Sequence, residues 1–191
     1  MRAFVAVELD EAARAVVAAE QTLARKLLGA RSSSLRLVGP QQIHFTLVFL
    51  ANVAEPLVEP LTAAMRQPIS GLAPFRIRIG GFGVFPPRGA PRVLWLGLLD
   101  GVRQMTELQA AVAARVGALG LRLEDRAFRP HLTLARWRDA RPSDRVPFER
   151  ASPARAIAEM TVDRVTLFES RLSSEGASHV PLAQSPLSGT S

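Results

Sequence analysis

His44-Phe45-Thr46-Leu47 recurs as His131-Leu132-Thr133-Leu134, so the chain carries one tetrapeptide pattern twice. The two copies hold two of the three histidines among 191 residues. Chance alone would give roughly 0.13 His-x-Thr matches in such a chain, so two matches are far more than expected. Histidine titrates near neutral pH, so a matched pair is able to supply one proton acceptor and one proton donor to a single reaction.

Alternation along a strand indicates what each copy of the tetrapeptide does. Residues two apart share a face, so His44 and Thr46 point one way while Phe45 packs on the other side. A lone histidine in an apolar strand is more commonly a hydrogen-bonded core residue, but the repetition favours a functional pair. If the two copies meet about a pseudo-twofold axis, two imidazoles flank the entering and leaving oxygens of one phosphate, and the threonine hydroxyls donate to its other oxygens.

The duplication extends beyond the tetrapeptide. In each half an apolar strand runs to an aspartate, an Ala/Leu-rich amphipathic stretch follows, and the His-x-Thr segment comes next. Helices are predicted over residues 11–28 and 102–119. Their N-caps are predicted at Asp10 and Asp100, and their ends at Gly29 and Gly120.

Later segments complete two similar units. We predict a helix over 55–67, a strand over 74–85, a helix over 143–150 and a strand over 156–172. The first repeat covers about 1–86, the second about 92–172, and the Ser-, Gly- and Pro-rich tail from about 181 is expected to be flexible. The sequence thus predicts one bilobal α+β domain over 1–191. Its two pseudo-symmetric lobes are mostly antiparallel sheets with helices on their outer faces, and the active-site cleft lies between the sheets.

Composition narrows the class of protein. The net charge is +7, and 23 of the 24 basic residues are arginines, with Lys26 as the exception. This favours an anionic partner such as RNA, although a genome rich in arginine codons explains the Arg/Lys ratio equally well. The chain has no cysteine, which excludes thiolate nucleophiles and disulfides. No stretch approaches the roughly 20 apolar residues of a membrane helix, so we expect a cytoplasmic enzyme.

Residues near the two motifs extend the candidate site. Arg126, Arg129 and Arg136 surround the second copy. Arg136 lies five residues after His131, an offset that reaches the same face only if the strand ends, twists or bulges there. Arg136 is the stronger phosphate-binding candidate of the three, and Arg129 is a weaker one.

Two further residues with ring side chains, Phe49 and His179, lie outside the tetrapeptides. Phe49 occupies the same offset from His44 that Arg136 occupies in the second copy, and it is a candidate for stacking on a base or for the core. His179 has no partner motif, so we interpret it as a surface or packing residue.

Several segments together resemble the two-histidine phosphoesterases, and more closely the RNA 2′,3′-cyclic phosphodiesterases, also called 2′-5′ RNA ligases. The resemblance covers nearly the whole chain. It is carried by Arg-Ala-Phe-Val-Ala-Val at 2–7, Gly-Pro-Gln-Gln-Ile-His-Phe-Thr-Leu-Val-Phe-Leu at 39–50, Phe-Arg-Pro-His-Leu-Thr-Leu-Ala-Arg at 128–136 and Leu-Phe-Glu-Ser at 167–170. One departure is His179, which stands where members often carry tyrosine.

The resemblance implies hydrolysis of a 2′,3′-cyclic phosphate at an RNA 3′ end to give a 2′-phosphomonoester, without metal or cofactor. It implies that His44 donates a proton to the leaving 3′-oxygen and that His131 accepts one from water. Spacing alone leaves the order of the two histidines open. Thr46, Thr133 and Arg136 would hold the phosphate.

Two rival functions remain open. The first is an ATP-independent 2′-5′ RNA ligase acting on tRNA halves, since Lys26 lacks the Lys-x-Asp-Gly setting of an ATP-dependent ligase. The second is a non-catalytic module that binds RNA 3′ ends. A metalloprotein is disfavoured because two histidines without neighbouring carboxylates or thiolates make a poor metal site. We expect a monomer whose partner is RNA with cyclic phosphate ends, including tRNA fragments, and not a membrane.

Overall fold

The chain forms a large set of strands with a few helices between them. The computed structural model describes residues 1–123, 125, 127–151, 155–173 and 176–189, and within them it contains ten strands and four α-helices. The strands are β1 (Ala3–Glu8), β2 (Leu35–Leu37), β3 (His44–Leu50), β4 (Ile69–Ser70), β5 (Phe75–Phe85), β6 (Val93–Asp100), β7 (Leu132–Trp137), β8 (Ala156–Val162), β9 (Arg164–Ser173) and β10 (Gly176–Ser188). The helices are α1 (Glu11–Leu28), α2 (Glu55–Ala64), α3 (Val102–Gly117) and α4 (Val146–Ala151).

The strands join in the order β4-β10-β9-β1-β3-β7-β6-β5-β8, and β2 pairs with β7 beside β3. Neighbouring strands are antiparallel except β10 and β4, which are parallel. The apolar faces of α1 and α3 share one hydrophobic core with the inner face of the sheet. The predicted α+β class with mostly antiparallel pairing is therefore confirmed.

The two halves of the sheet are linked through strands from both predicted repeats. Strand β5 belongs to the first repeat but pairs with β6 and β8 of the second. Strand β9 belongs to the second repeat but pairs with β1 of the first. In the centre, β3 pairs with β7 through Phe45 and Leu132, whose side chains are both fully buried.

Helix α1 begins and ends where the sequence predicts. The Asp10 carboxylate accepts a hydrogen bond from the Ala13 amide at 2.7 Å, and Gly29 caps the C-terminus with φ of 55°. Such a carboxylate cap satisfies one of the helix's unpaired amides.

The caps predicted for α3 are wrong. Asp100 is the last residue of β6, and Gly101 is the N-cap, with φ of 84° and with Ile77 where a Cβ would stand. Only glycine combines that φ with that close approach. The helix ends at Gly117, and a turn leads to Gly120.

Two shorter helices also differ from their predicted bounds. Helix α2 ends at Ala64 rather than at residue 67. The segment predicted as a helix over 143–150 is a 3-10 turn, Pro142–Arg145, followed by α4.

The single strand predicted over 156–172 is wrong, because the chain breaks at Asp163 into β8 and β9. Strand β8 pairs with β5 at one edge of the sheet, and β9 pairs with β1 in the other half. The residues that belong to the main hydrophobic core change from even to odd positions across the break, with Met160 and Val162 before it and Val165 and Leu167 after it. One straight strand is unable to keep both sets on the same face.

The flexible tail predicted from about residue 181 is also wrong for Pro181–Ser188, which form the second part of β10. Ala183, Ser185 and Leu187 alternate as buried residues, and the Ser185 hydroxyl donates to the Met65 carbonyl at 2.7 Å. The composition predicted flexibility, but every second side chain from Ala183 to Leu187 is buried, and this burial anchors the strand. Residues 190 and 191 of the predicted tail lie outside the described residues.

The tail strand should therefore contribute to stability. We expect Leu187→Ala to lower the free energy of unfolding by about 2–5 kcal/mol, because it removes a buried side chain. Ser188→Ala, at an exposed neighbouring position, should change it by less than about 0.5 kcal/mol. Urea unfolding of both variants measures the difference, and equal small effects would show that β10 is dispensable.

Candidate active site

The two His-x-Thr segments meet at the centre of the sheet. Phe45 of β3 pairs with Leu132 of β7, and partners in an antiparallel pair point to the same face. Their neighbours in sequence point to the opposite face, away from the core. Two rungs, meaning pairs of facing side chains on neighbouring strands, then form on that face: His44 with Thr133, and Thr46 with His131. The register thus brings together the four polar residues predicted from the repeated tetrapeptide.

The two histidines occupy diagonal positions across these rungs. Diagonal neighbours on adjacent antiparallel strands are separated by roughly 7–8 Å. Both rings are half-buried, Thr133 is half-buried and Thr46 is exposed. A tetrahedral anion placed between His44 and His131 would have one imidazole on each side and one hydroxyl beside each ring.

A β-bulge follows each His-x-Thr segment at the same place. In β3 the partners of successive β1 residues are Val48 and Thr46, so Leu47 is the extra residue. In β7 the partners of successive β6 residues are Ala135 and Thr133, so Leu134 is the extra residue. The leucine that ends each tetrapeptide is thus the bulged residue in both halves.

The second bulge decides where Arg136 points. Arg136 pairs with Val93 and Thr133 pairs with Trp95, and Val93 and Trp95 lie two apart on β6. Arg136 therefore shares a face with Thr133, although the two are three positions apart in sequence. The bulge that the offset from His131 required is present.

The first bulge acts on Phe49 in the same way. Phe49 pairs with Phe4, and Thr46 pairs with Ala6, two residues further along β1. The half-buried Phe49 ring packs against a small cluster on this face formed by Phe4, Ala6 and Phe168. The Arg2 guanidinium lies 5.5 Å from the centre of the Phe49 ring. Stacking of a base on Phe49 stays a prediction.

His131 is held by the backbone just before its strand. Its Nδ1 lies 2.7 Å from the Arg129 carbonyl, and the rings of Phe85 and Trp95 lie 5.1 and 6.1 Å away. Burial lowers the pKa of His131, the nearby Arg136 charge lowers it further, and the carbonyl raises it. A neutral ring that donates from Nδ1 to this carbonyl leaves the lone pair of Nε2 free to accept a proton.

His44 has a similar backbone anchor and a more apolar setting. Its ring stacks on Phe4, with centroids 4.7 Å apart and planes inclined by 15°. The Gln42 backbone, two residues before His44, favours the protonated ring, as the Arg129 carbonyl does for His131. Burial is the main cause that lowers the pKa of His44 to about 4, and the charges of His179 and Arg14 add to it.

His179 packs beside His44 in the candidate site, a place that its interpretation as a surface or packing residue did not predict. Its ring lies 5.3 Å from His44 and 4.7 Å from Phe4, edge-on to both. It arrives on β10, in register with Ser170 of β9. Burial lowers the pKa of His179. The sequence carried no signal for this contact, because it depends on how the late strands pair.

Further groups around His44 complete a pocket. Arg14 of α1 donates to the carbonyls of Pro40 and Leu9 at 2.9 and 2.8 Å, and Glu8 accepts from Thr166 at 2.8 Å. The pocket is lined by Glu8, Arg14, Gln41, Ile43, His44, Phe168, His179 and Pro181. The lining therefore combines charged groups with aromatic rings.

The remaining predicted residues are placed differently. Arg129 contributes its backbone carbonyl to His131, while its side chain is exposed. Phosphate binding by the Arg129 guanidinium stays a prediction. Arg126 lies outside the described residues.

The described residues were also expected to lack metal-binding clusters and membrane helices. Within the described part of the chain, no group of three or more His, Asp or Glu side chains is arranged to hold a metal ion. None of the helices in that part is long and apolar enough to cross a membrane.

Comparison with known families fits this geometry. The model of the 2′-5′ RNA ligase superfamily matches residues 6–173, which include both His-x-Thr segments. The chain belongs to the 2′-5′ RNA ligase superfamily, and the predicted family is confirmed.

Individual relatives match over most of their length. The RNA 2′,3′-cyclic phosphodiesterase of Methanothermobacter thermautotrophicus is 32% identical over 92% of this chain and 93% of its own. The protein of the same name from Thermus thermophilus is 34% identical over 99% of this chain and 91% of its own.

Solved structures agree with the fold. The crystal structure of TT0787 from Thermus thermophilus has a TM-score of 0.80, with 29% identity and 99% coverage of both chains. Escherichia coli LigT complexed with 3′-AMP has a TM-score of 0.73 over 97% of this chain and 96% of its own. At 24% identity the LigT likeness shows the fold alone.

The contact between His44 and His179 predicts that their titrations are coupled. We expect His179→Phe to raise the pKa of His44 above its value of about 4, because a positive charge that opposes the His44 imidazolium is removed. Phenylalanine keeps an aromatic ring beside Phe4. NMR titration of the His44 ring measures the change, with the pKa of His131 as the internal control. An unchanged His44 pKa would show that the two rings are not coupled.

Proposed function

We propose that this chain is an RNA 2′,3′-cyclic phosphodiesterase, which hydrolyses the cyclic phosphate at an RNA 3′ end to a 2′-phosphomonoester. The observation that carries the proposal is the pair of His-x-Thr rungs on either side of the Phe45 and Leu132 pair. The two relatives named as RNA 2′,3′-cyclic phosphodiesterases support it, because they align with nearly the whole chain.

The proposed roles divide one proton donor from one proton acceptor. His131 takes a proton from the attacking water, and His44 gives a proton to the leaving 3′-oxygen. The anchored Nδ1 of His131 supports its role as base, because the free Nε2 lone pair then faces the phosphate. Thr46, Thr133 and Arg136 hold the non-bridging oxygens, where negative charge develops in the transition state.

Burial keeps both histidines, His44 and His131, uncharged in the free protein. It lowers the pKa of both His44 and His131, so both rings are neutral near pH 7 in the free protein. The negative charge of a bound phosphodiester favours an imidazolium beside it. Substrate itself would therefore supply the condition under which His44 holds the proton that it donates.

Ligation is the same displacement of the 3′-oxygen from phosphorus, with a 5′-hydroxyl as the nucleophile. It requires a 5′-hydroxyl in the place of the attacking water. Because water is present at roughly 55 M, hydrolysis predominates unless the protein positions that hydroxyl. Hydrolysis is therefore the proposed direction, and 2′-5′ joining of tRNA halves is the alternative. The proposal also includes RNA fragments, among them tRNA fragments, as substrates, and a monomeric enzyme in the cytoplasm.

Replacement of either histidine tests the proposal. We expect His44→Ala and His131→Ala each to lower turnover of an oligoribonucleotide ending in 2′,3′-cyclic phosphate by about 10²–10⁴-fold, the usual contribution of a positioned acid or base. The wild-type product should carry a 2′-phosphate, which chromatography against 2′- and 3′-phosphate standards identifies.

Binding of a 2′-phosphate-ended oligoribonucleotide to the same variants is the control for folding. Both variants should keep most of the wild-type affinity. Wild-type protein that binds this RNA without turning over the cyclic end would instead be a binding module. A 3′-phosphate product would contradict the assigned leaving group.

A further inference from the structure

A third rung of side chains follows the two catalytic rungs. Arg36 of β2 pairs with Arg136 of β7, and both side chains are exposed. Because Arg136 shares the face of Thr133 and paired residues share a face, Arg36 also lies on the active face of the sheet.

The arginine rung lies directly beside the His44 and Thr133 rung. Strands β2 and β3 follow one another along the same edge of β7. Residues two apart on a strand are separated by about 7 Å, so the arginine rung lies about one such step beyond Thr133, with the bulged Leu134 between them.

A buried polar side chain fixes the end of β2 against that bulge. The Gln21 amide of α1 donates to the Leu134 carbonyl at 2.8 Å and to the Val38 carbonyl at 2.7 Å, and Gln21 is only 4% exposed. The Val38 amide also donates to Leu134 at 2.9 Å. Arg36 is therefore presented from a strand whose position relative to the bulge is fixed.

The charges of this rung have no acidic partner within the described parts of the chain. There, no carboxylate lies within ion-pair distance of Arg36 or Arg136, whereas Arg76 and Arg78 both pair with Glu159. Like charges directly opposite on neighbouring strands are unfavourable unless an anion lies between them. The planar guanidinium fork matches phosphate oxygens, so a phosphate is the anion that suits this rung.

We propose that Arg36 binds the internucleotide phosphate on the 5′ side of the terminal nucleotide, so that the site prefers an RNA strand to a cyclic mononucleotide. This inference rests on the proposed function, which places the cyclic phosphate between His44 and His131 and gives Arg136 to it. Arg136 is thus assigned to the cyclic phosphate, and Arg36, its partner across the rung, remains for another anion. The next phosphate along the RNA is the anion that Arg36 would bind.

The test compares two substrates. We expect Arg36→Gln, which keeps the aliphatic part of the side chain, to lower kcat/KM for a pentaribonucleotide 2′,3′-cyclic phosphate by about tenfold, the usual scale for one lost charged hydrogen bond. For adenosine 2′,3′-cyclic phosphate, kcat/KM should stay within about twofold, since that substrate has no internucleotide phosphate. The dependence of log(kcat/KM) on log salt should become shallower by about 0.7 for the pentamer alone.

Arg25→Gln is the matched control, because Arg25 is an exposed arginine of α1 and its loss changes the net charge equally. It should leave both substrates unaffected. If Arg36→Gln lowered kcat/KM equally for both substrates, Arg36 would bind the cyclic phosphate itself. If it lowered kcat/KM for neither, Arg36 would not contact the substrate. Both outcomes overturn the inference.

A binding measurement separates this inference from the proposed function. If the wild-type protein turned over neither substrate, the proposed function would fail, and affinity for a pentaribonucleotide with a 2′-phosphate end would still test Arg36. Arg36→Gln should weaken that affinity and leave the affinity for adenosine 2′-phosphate unchanged. Equal affinities of wild type and variant for the pentamer would overturn the assignment of Arg36.

Discussion

The candidate site depends on one contact between the halves of the sheet, the pairing of Phe45 with Leu132. Both side chains are fully buried, which holds the central strands in one register. A slip of one residue would turn a histidine of one strand toward the core and a phenylalanine or leucine toward the groove. Burial of these two apolar residues is therefore what presents two imidazoles on the same face.

The bulges give the fourth residue of each tetrapeptide a structural role. Leu47 and Leu134 are the extra residues, and each places its own side chain and that of the next residue in the core. Strict alternation is broken at these points, so Arg136 and Phe49 return to the face of the histidines. The repeat thus encodes both the candidate catalytic residues and the change in phase beside them.

Local patterns in the sequence were enough to predict which residues share a face of a strand, because that depends only on alternation along the chain. His44, Thr46, His131 and Thr133 were predicted to share a groove, and helix α1 was predicted with its bounds. His179 and Arg36 depend on pairings between distant strands, which no local period records. The break at Asp163 left a trace, the change of main-core residues from even to odd positions, but the burial that reveals it is a tertiary property. The internal duplication, and the division of acid and base between His44 and His131, stay predictions.

The central claim is that the two imidazoles flank a single phosphate. A crystal structure of the protein with a bound nucleoside 2′-phosphate tests it most directly. We expect one ring nitrogen of His44 and one of His131 to lie about 2.6–3.2 Å from different oxygens of the same phosphate group, on opposite sides of the phosphorus atom. A phosphate held by one histidine alone, with the other ring turned away from it, would contradict the account.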